Sequence, residues 1–243
     1  MSAKTQSDRV WETLRNEIVA CRILPGAKLR INDIAGANHV SLGAVREALS
    51  RLGAEGLVIA ESQKGYRAAP LSAEDFLDIT EARVEIERIA LSRSIARGDL
   101  EWETNLVAAW HRLARTQDRE PDSRRPSDRW PAAHAAFHLA LVAACGSAKL
   151  LQIRAQLYEQ SERYRRYSGV MDPQRDVPAE HQRIFDAAVA RHLDAAMGAI
   201  TDHLRTTAAI LVTSPLLEAK IGESTKRPEV MPAVDDGVAD GVG

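Results

Sequence analysis

Pro70 separates two patterns that do not belong to one architecture. Before it, turn signals cut the chain into elements too short to form a bundle. After it, apolar residues recur at helical spacing over long stretches, and no strand pattern returns. Hydrophobic residues make up 45% of the chain and aromatics only 5%, a balance that favours helices over sheets. The reading therefore sets one module at 1–70, a helical domain at 71–213 and a tail at 214–243, where Pro, Gly and acids replace periodicity and disorder is expected.

The first module reads as three short helices and a hairpin. Val10, Leu14, Ile18 and Cys21 share one helical face, which predicts a helix over 8–21. Pro25-Gly26 turns the chain, and a short helix follows at 31–37. Ser41 caps a third helix that runs to Gly53, with Val45, Ala48, Leu49 and Leu52 inward. Leu57 to Ile59 reads as a strand and Tyr66 to Ala68 as its return, with 61–65 as the tip. That order is the winged helix-turn-helix plan, whose third helix enters a major groove while the hairpin reaches the neighbouring backbone.

The outer face of the third helix offers Gly43, Arg46, Glu47 and Ser50. Ser41 and the free N–H groups beside it suit a phosphate, and small residues at Gly43 and Ala44 permit close approach. Leu42 fits a thymine methyl, and the Arg46 fork fits the acceptor edge of guanine. Lys64 and Gly65 suit the DNA backbone or minor groove. The plain alternative is a solvated helix that happens to carry one arginine. Charge leans toward DNA: residues 1–70 hold 10 Lys/Arg against 7 Asp/Glu, and the remainder 22 against 27.

Beyond Pro70 six helices are expected, over 72–97, 100–117, 127–144, 147–168, 178–191 and 193–213, with a polar loop from Arg119 to Pro131. His134 and His138, four apart, share a helix face with Phe137 and Leu141. His181 lies one turn from Ile184 and Phe185, and His203 sits among Ile200, Leu204 and Thr207. Imidazoles from three helices directed into one core form a candidate divalent metal site, with core histidines bonded to carbonyls or carboxylates as the alternative. His111 and His192 read as bystanders, and His39 as a surface residue. Arg83 interrupts the apolar stripe Phe76, Ile79, Ile86 and Ala90, and a buried guanidinium must have a partner. Glu87, one turn along, is one partner; a bound carboxylate is the other. The run Arg163 to Arg166 reads either as a solvated face or as pocket or dimer contacts.

No stretch of 18 apolar residues is present and the first 15 residues have no apolar signal core, so a cytoplasmic protein is expected, with no membrane span. Cys21 and Cys145 lie in helical patterns without Cys-x-x-Cys spacing and read as small buried apolar groups.

Two blocks of residues carry a resemblance. I23-L-P-G-A-K-L-R30, V40-S-L-G-A-V-R-E-A-L-S-R-L52, E55-G-L-V58 and K64-G65 resemble the DNA-binding domain of the GntR family of bacterial transcription regulators. E81-A-R83-V-E-I-E87, H134-A-A-F-H138, E180-H181-Q-R-I-F-D-A and D202-H203-L resemble the FCD effector domain of its FadR subfamily. The six-helix count resembles the VanR-like branch. The resemblance implies a homodimer on a palindromic operator in double-stranded DNA, with Ser41, Gly43, Arg46 and the hairpin tip facing it. It also implies a divalent ion, Zn²⁺ or Ni²⁺, held by His138, His181 and His203 beneath a small organic-acid effector.

The chain departs from the family pattern at Gly36-Ala37-Asn38-His39, where a Leu-Gly turn is usual, at Ala148, where Asn is usual, and at two places that touch the expected sites. Leu42-Gly43-Ala44 replaces the common Arg-(Thr/Ser)-Pro, so one guanine-reading arginine is missing. His134 stands where an acidic ligand is usual, which leaves either four histidine ligands or three plus water. The expectation is a ligand-responsive regulator, a repressor in sign, and no enzyme. The rival reading is a metal-dependent hydrolase-like bundle fused to a DNA-binding head.

Overall fold

The computed structural model describes residues 4–62, 64–116, 129–168 and 175–213. Most of the expected loop from Arg119 to Pro131, and the whole tail from 214, lie outside the described residues. The chain forms two compact units that meet in sequence at Pro70 and Leu71.

The first unit contains α1 (Gln6–Val19), β1 (Lys28–Leu29), α2 (Ile31–Asn38), α3 (Leu42–Ala54), β2 (Val58–Glu61) and β3 (Gly65–Ala68). Thr5 opens α1 with a capping box, its side chain accepting the Asp8 N–H while the Asp8 carboxylate accepts the Thr5 N–H. Val10, Leu14 and Ile18 of α1 meet Val45, Leu49 and Leu52 of α3 in one core. Trp11 Nε1 donates to Glu55 at 2.8 Å and Arg51 pairs with Asp8 at 2.7 Å, so polar ties fasten the first half of α1 to the C-terminal end of α3.

Two expectations here need correction. The α1 helix stops at Val19, and Cys21 lies outside it, half-buried, with φ of 56°. The Arg22 N–H reaches the Glu17 carbonyl and the Cys21 N–H that of Ile18, which is a Schellman closure with cysteine in the left-handed position. The exit toward Pro25-Gly26 demands that reversal, so Cys21 cannot be a core residue. The hairpin also gains a third strand: the sheet order is β1-β3-β2, all antiparallel, with Leu29 opposite Tyr66 and Val58 opposite Ala68.

The second unit contains α4 (Ala73–Arg97), α5 (Leu100–Arg115), α6 (Trp130–Val142), α7 (Ala148–Ser168), α8 (Val177–Val189) and α9 (Leu193–Leu211). The unit is mainly helical, as expected, and each helix falls within three residues of its expected bounds. Ser72, Asp99 and Asp176 cap α4, α5 and α8 with their side chains. The α4 helix packs on α7 and α9, α5 on α6, and α8 on α9. Leu91, Leu106, Phe137, Leu141, Ile184 and Ile200 form the principal core. A second cluster joins Phe76, Ile79 and Leu211 to Tyr164, whose ring stacks on Phe76 at 4.4 Å.

Candidate functional site

The bundle places its four inward histidines together. His134 and His138 come from α6, His181 from α8 and His203 from α9, and one ring nitrogen of each lies within 4.8 Å of the others. All four are buried, and they sit where helical periodicity alone puts them, one turn apart or one turn from core residues. His138 Nε2 stands 3.1 Å from His134 Nε2 and 3.3 Å from His181 Nε2. One imidazole nitrogen carries at most one proton, so hydrogen bonding alone does not explain three such atoms converging. These two separations are close to the edge, about 3.3 Å, of a tetrahedron built on metal–nitrogen bonds of 2.0–2.1 Å, and the full set spans up to 4.8 Å.

The electrostatics agree with a cation. Burial first, and the neighbouring imidazoles second, hold His134 and His138 well below the usual histidine range. Burial also lowers His181 and His203, the latter against the pull of Glu180. Four neutral imidazoles therefore offer lone pairs at neutral pH. Outer partners orient two of them. His203 Nδ1 donates to Glu180 Oε2 at 2.8 Å, which leaves Nε2 as the acceptor facing inward. Arg175 donates to both oxygens of that carboxylate, at 2.6 and 2.8 Å, and to the His203 carbonyl at 3.1 Å. Burial pushes the Glu180 carboxyl up, but its hydrogen bonds to Arg175 and His203 outweigh that and hold it down at about 2. His134 Nδ1 lies 3.1 Å from the Tyr158 hydroxyl, and its ring stacks on Trp130. By donor chemistry and geometry these residues fit a divalent ion of the nitrogen-preferring kind.

Arg83 is buried on α4, as its stripe requires, and Glu87 is close, with Nε to Oε1 at 3.5 Å. Arg154 of α7 is nearer to the same oxygen, at 3.0 Å. The Arg154 N–H is not aimed at the oxygen, so the contact is an ion pair without a hydrogen bond. One carboxylate thus faces two guanidinium groups, and Nε and Nη2 of both arginines are buried without a hydrogen-bond partner. Both cations lie over the Tyr158 ring, at 4.8 and 5.1 Å, so this pair reaches the histidines through Tyr158. Arg163 and Tyr164 are buried too, and Arg165 lies over Trp130, so the solvated-face reading of that run is corrected. His39, His111 and His192 are exposed.

In the first unit, Ser41 Oγ accepts the Ala44 N–H at 3.2 Å and so caps α3. Its hydroxyl proton stays available to a phosphate oxygen. Leu42 is 42% exposed, and Gly43 and Arg46 are exposed beside it. Ala44, one turn before Ala48, is buried, so the outer face begins with Gly43 and Arg46. Lys64 and Gly65 sit at the β2–β3 tip, where Gly65 has φ of 90°, and the structure brings both to one cleft with Arg46.

Sequence reasoning missed Tyr158, Arg154, Arg175 and Glu180. Glu180 stood next to His181, but nothing along the chain shows that it serves His203 on another helix. Arg154 has Tyr158 one turn along its own helix, but the carboxylate it faces, Glu87, lies on α4.

Known proteins give the same division. The model for bacterial regulatory proteins of the gntR family matches residues 6–67, and that of the FCD domain matches residues 78–206. The chain is 35% identical over 206 residues to the HTH-type transcriptional regulator BphR of Paraburkholderia xenovorans, spanning 84% of each protein. It is 37% identical over 206 residues to the HTH-type transcriptional repressor GlaR of Escherichia coli, spanning 83% of this chain and 93% of that one. The solved structure of E. coli McbR/YncC has the same fold, with a TM-score of 0.70 at 17% identity over 87% of this chain and 99% of that one. These relatives are transcription regulators, so the hydrolase reading is set aside.

Proposed function

The chain belongs to the GntR family of bacterial regulatory proteins and carries an FCD domain, and on that premise we propose that it is a metal-dependent repressor released from its operator by a small carboxylic acid. It is a DNA-binding transcription regulator, and no helix among its described residues is long and apolar enough to cross a membrane. The observation that carries the finer reading is the buried cluster of His134, His138, His181 and His203 beside two under-bonded arginines. The histidines hold the ion, Zn²⁺ or Ni²⁺, and when bound it supplies a Lewis-acidic position for one carboxylate oxygen. Arg83, with Arg154, supplies guanidinium N–H donors for a carboxylate, held bidentately. Tyr158 fixes the orientation of His134, and Glu180 that of His203.

On DNA, two copies of the chain read a palindromic operator with Arg46 on a guanine edge and Leu42 on a thymine methyl. Ser41, Gly43, Lys64 and Gly65 meet the backbone around them. The homology to a repressor supports the sign. Ligand acts by favouring one arrangement of the paired heads, because only differential affinity shifts such a balance.

A thermal-shift series with small carboxylates, run on metal-loaded and chelated protein, tests this reading. A true effector raises the melting temperature by mass action, and does so only in the loaded protein. Elemental analysis of wild type and His138→Ala gives the companion result: bound metal in the first and its loss in the second. Negligible metal in both contradicts the site.

A further inference from the structure

Apart from the exposed Arg9, the cations of the first unit fall into two groups. Arg15, Arg22, Arg51 and Arg67 are engaged with Glu55, Glu17, Asp8 and Glu61, and Lys4 with Glu12. Among the described residues, no ion pair or hydrogen bond engages the side chains of Lys28, Arg30, Arg46 or Lys64. Those four line a single open cleft of about 440 Å³. Asn32 adds a neutral polar side chain, and Asp33 is the one acid in the lining. Four acids of this unit, Asp8, Glu17, Glu55 and Glu61, are thus held by arginines elsewhere, while in the cleft four cations face a common space with one carboxylate.

The local fold explains how they meet. The β1 strand adds to the hairpin beside β3, with Lys28 opposite Arg67 and Leu29 opposite Tyr66. Leu29 points into the core, so its neighbours Lys28 and Arg30 point out. The α2 helix begins at once at Ile31, which holds both cations where strand passes into helix. Arg46 comes from α3 and Lys64 from the tip before β3.

We propose that Lys28 and Arg30 form a phosphate clamp on duplex DNA, gripping backbone next to the groove that Arg46 reads. This rests on the DNA-binding reading above and adds to it the residues that supply sequence-independent affinity. The α3 helix itself is poor in charge at its start, since Leu42, Gly43 and Ala44 are all neutral. The strand and the wing therefore carry the electrostatic share of binding. Like-charge crowding of four cations around one acid is offset when phosphates enter, and the counterions they displace make the interaction strongly salt-dependent.

The test uses the full chain and a 30-base-pair duplex of random sequence, with affinity followed by fluorescence anisotropy from low to moderate KCl. Each phosphate that the protein no longer neutralises flattens the plot of log affinity against log salt by about 0.9. Lys28→Gln with Arg30→Gln should therefore flatten the slope by about 1.8 per DNA-binding head. The variant should keep the wild-type circular dichroism and melting temperature, because both side chains are exposed. Arg22→Gln, which removes a cation already held by Glu17, should leave the slope as it is. A steep wild-type slope that persists in the double variant overturns the clamp alone. A wild type without salt-dependent binding overturns the DNA-binding reading, and the clamp with it.

Discussion

The two units handle charge in opposite ways. In the DNA-binding unit four unengaged cations, Lys28, Arg30, Arg46 and Lys64, are exposed and gather around an open cleft. In the bundle, Arg83, Arg154, Glu87 and four histidines are sealed from water. An exposed cation is hydrated at little cost and remains available to a polyanion. A buried one must be compensated within the fold or by a ligand. The contrast teaches where stability and function coincide: charges of the first unit are removable without unfolding it, whereas those of the bundle are part of its core.

The largest expected effect breaks the bundle side of this contrast. Glu87→Ala leaves two buried guanidinium groups without their shared carboxylate and should cost about 3–5 kcal/mol of unfolding free energy. Urea denaturation measures it, and a loss below about 1 kcal/mol would show that water reaches these groups.

Next comes the outer partner of the metal cluster. Glu180→Gln removes the carboxylate that orients His203 and should weaken metal binding about 10–100-fold. Competition against a chromophoric chelator reads this directly; unchanged affinity would remove His203 from the ligand set.

Arg46→Ala tests the other side. On the proposed reading, discrimination at the guanine assigned to it should fall by about 1–3 kcal/mol, while fold stability changes by no more than about 0.5 kcal/mol. A gel shift with operator and point-substituted operator, alongside a melt, makes the comparison. Full discrimination in the variant would assign base reading to another residue.

A further test separates the units by pH. The folded bundle keeps its imidazoles below their ordinary value of 6.5, chiefly through burial. Below pH 6.5 the unfolded chain takes up protons that the folded chain refuses, so stability is fullest above 6.5 and falls as pH drops. In the first unit Asp8 is held down from 3.8 to about 2, first by its hydrogen bond from Arg51, so its contribution is lost only below about 4. The metal-free melting temperature should accordingly decline between pH 7.5 and 5.5. A flat profile there would mean that the cluster is solvated.

Much of this was legible in the sequence, and the failures have one cause. Helices with clear periodicity, α4, α6, α8 and α9, announce their buried faces, and with them Arg83 and all four histidines. Helix ends were harder to read. Cys21, His39 and Arg191 each take the left-handed position that glycine usually marks, so no residue type announced the stop. The β1 strand is two residues long and is created by pairing with β3, a contact about 40 residues away that no local pattern encodes. Tyr158, Arg154 and Glu180 were missed for the same reason, since their roles exist only across helices.

The central claim is that a metal-held carboxylate in the bundle governs the grip of the DNA-binding unit. The most direct measurement selects genomic fragments with the metal-loaded chain at moderate ionic strength, then titrates a carboxylate panel into the best complex with and without chelator. The account predicts a preferred fragment and at least one carboxylate that releases it only in the loaded protein. A chain that prefers no fragment over bulk competitor, or whose DNA affinity responds to carboxylate identically after metal removal, would contradict it.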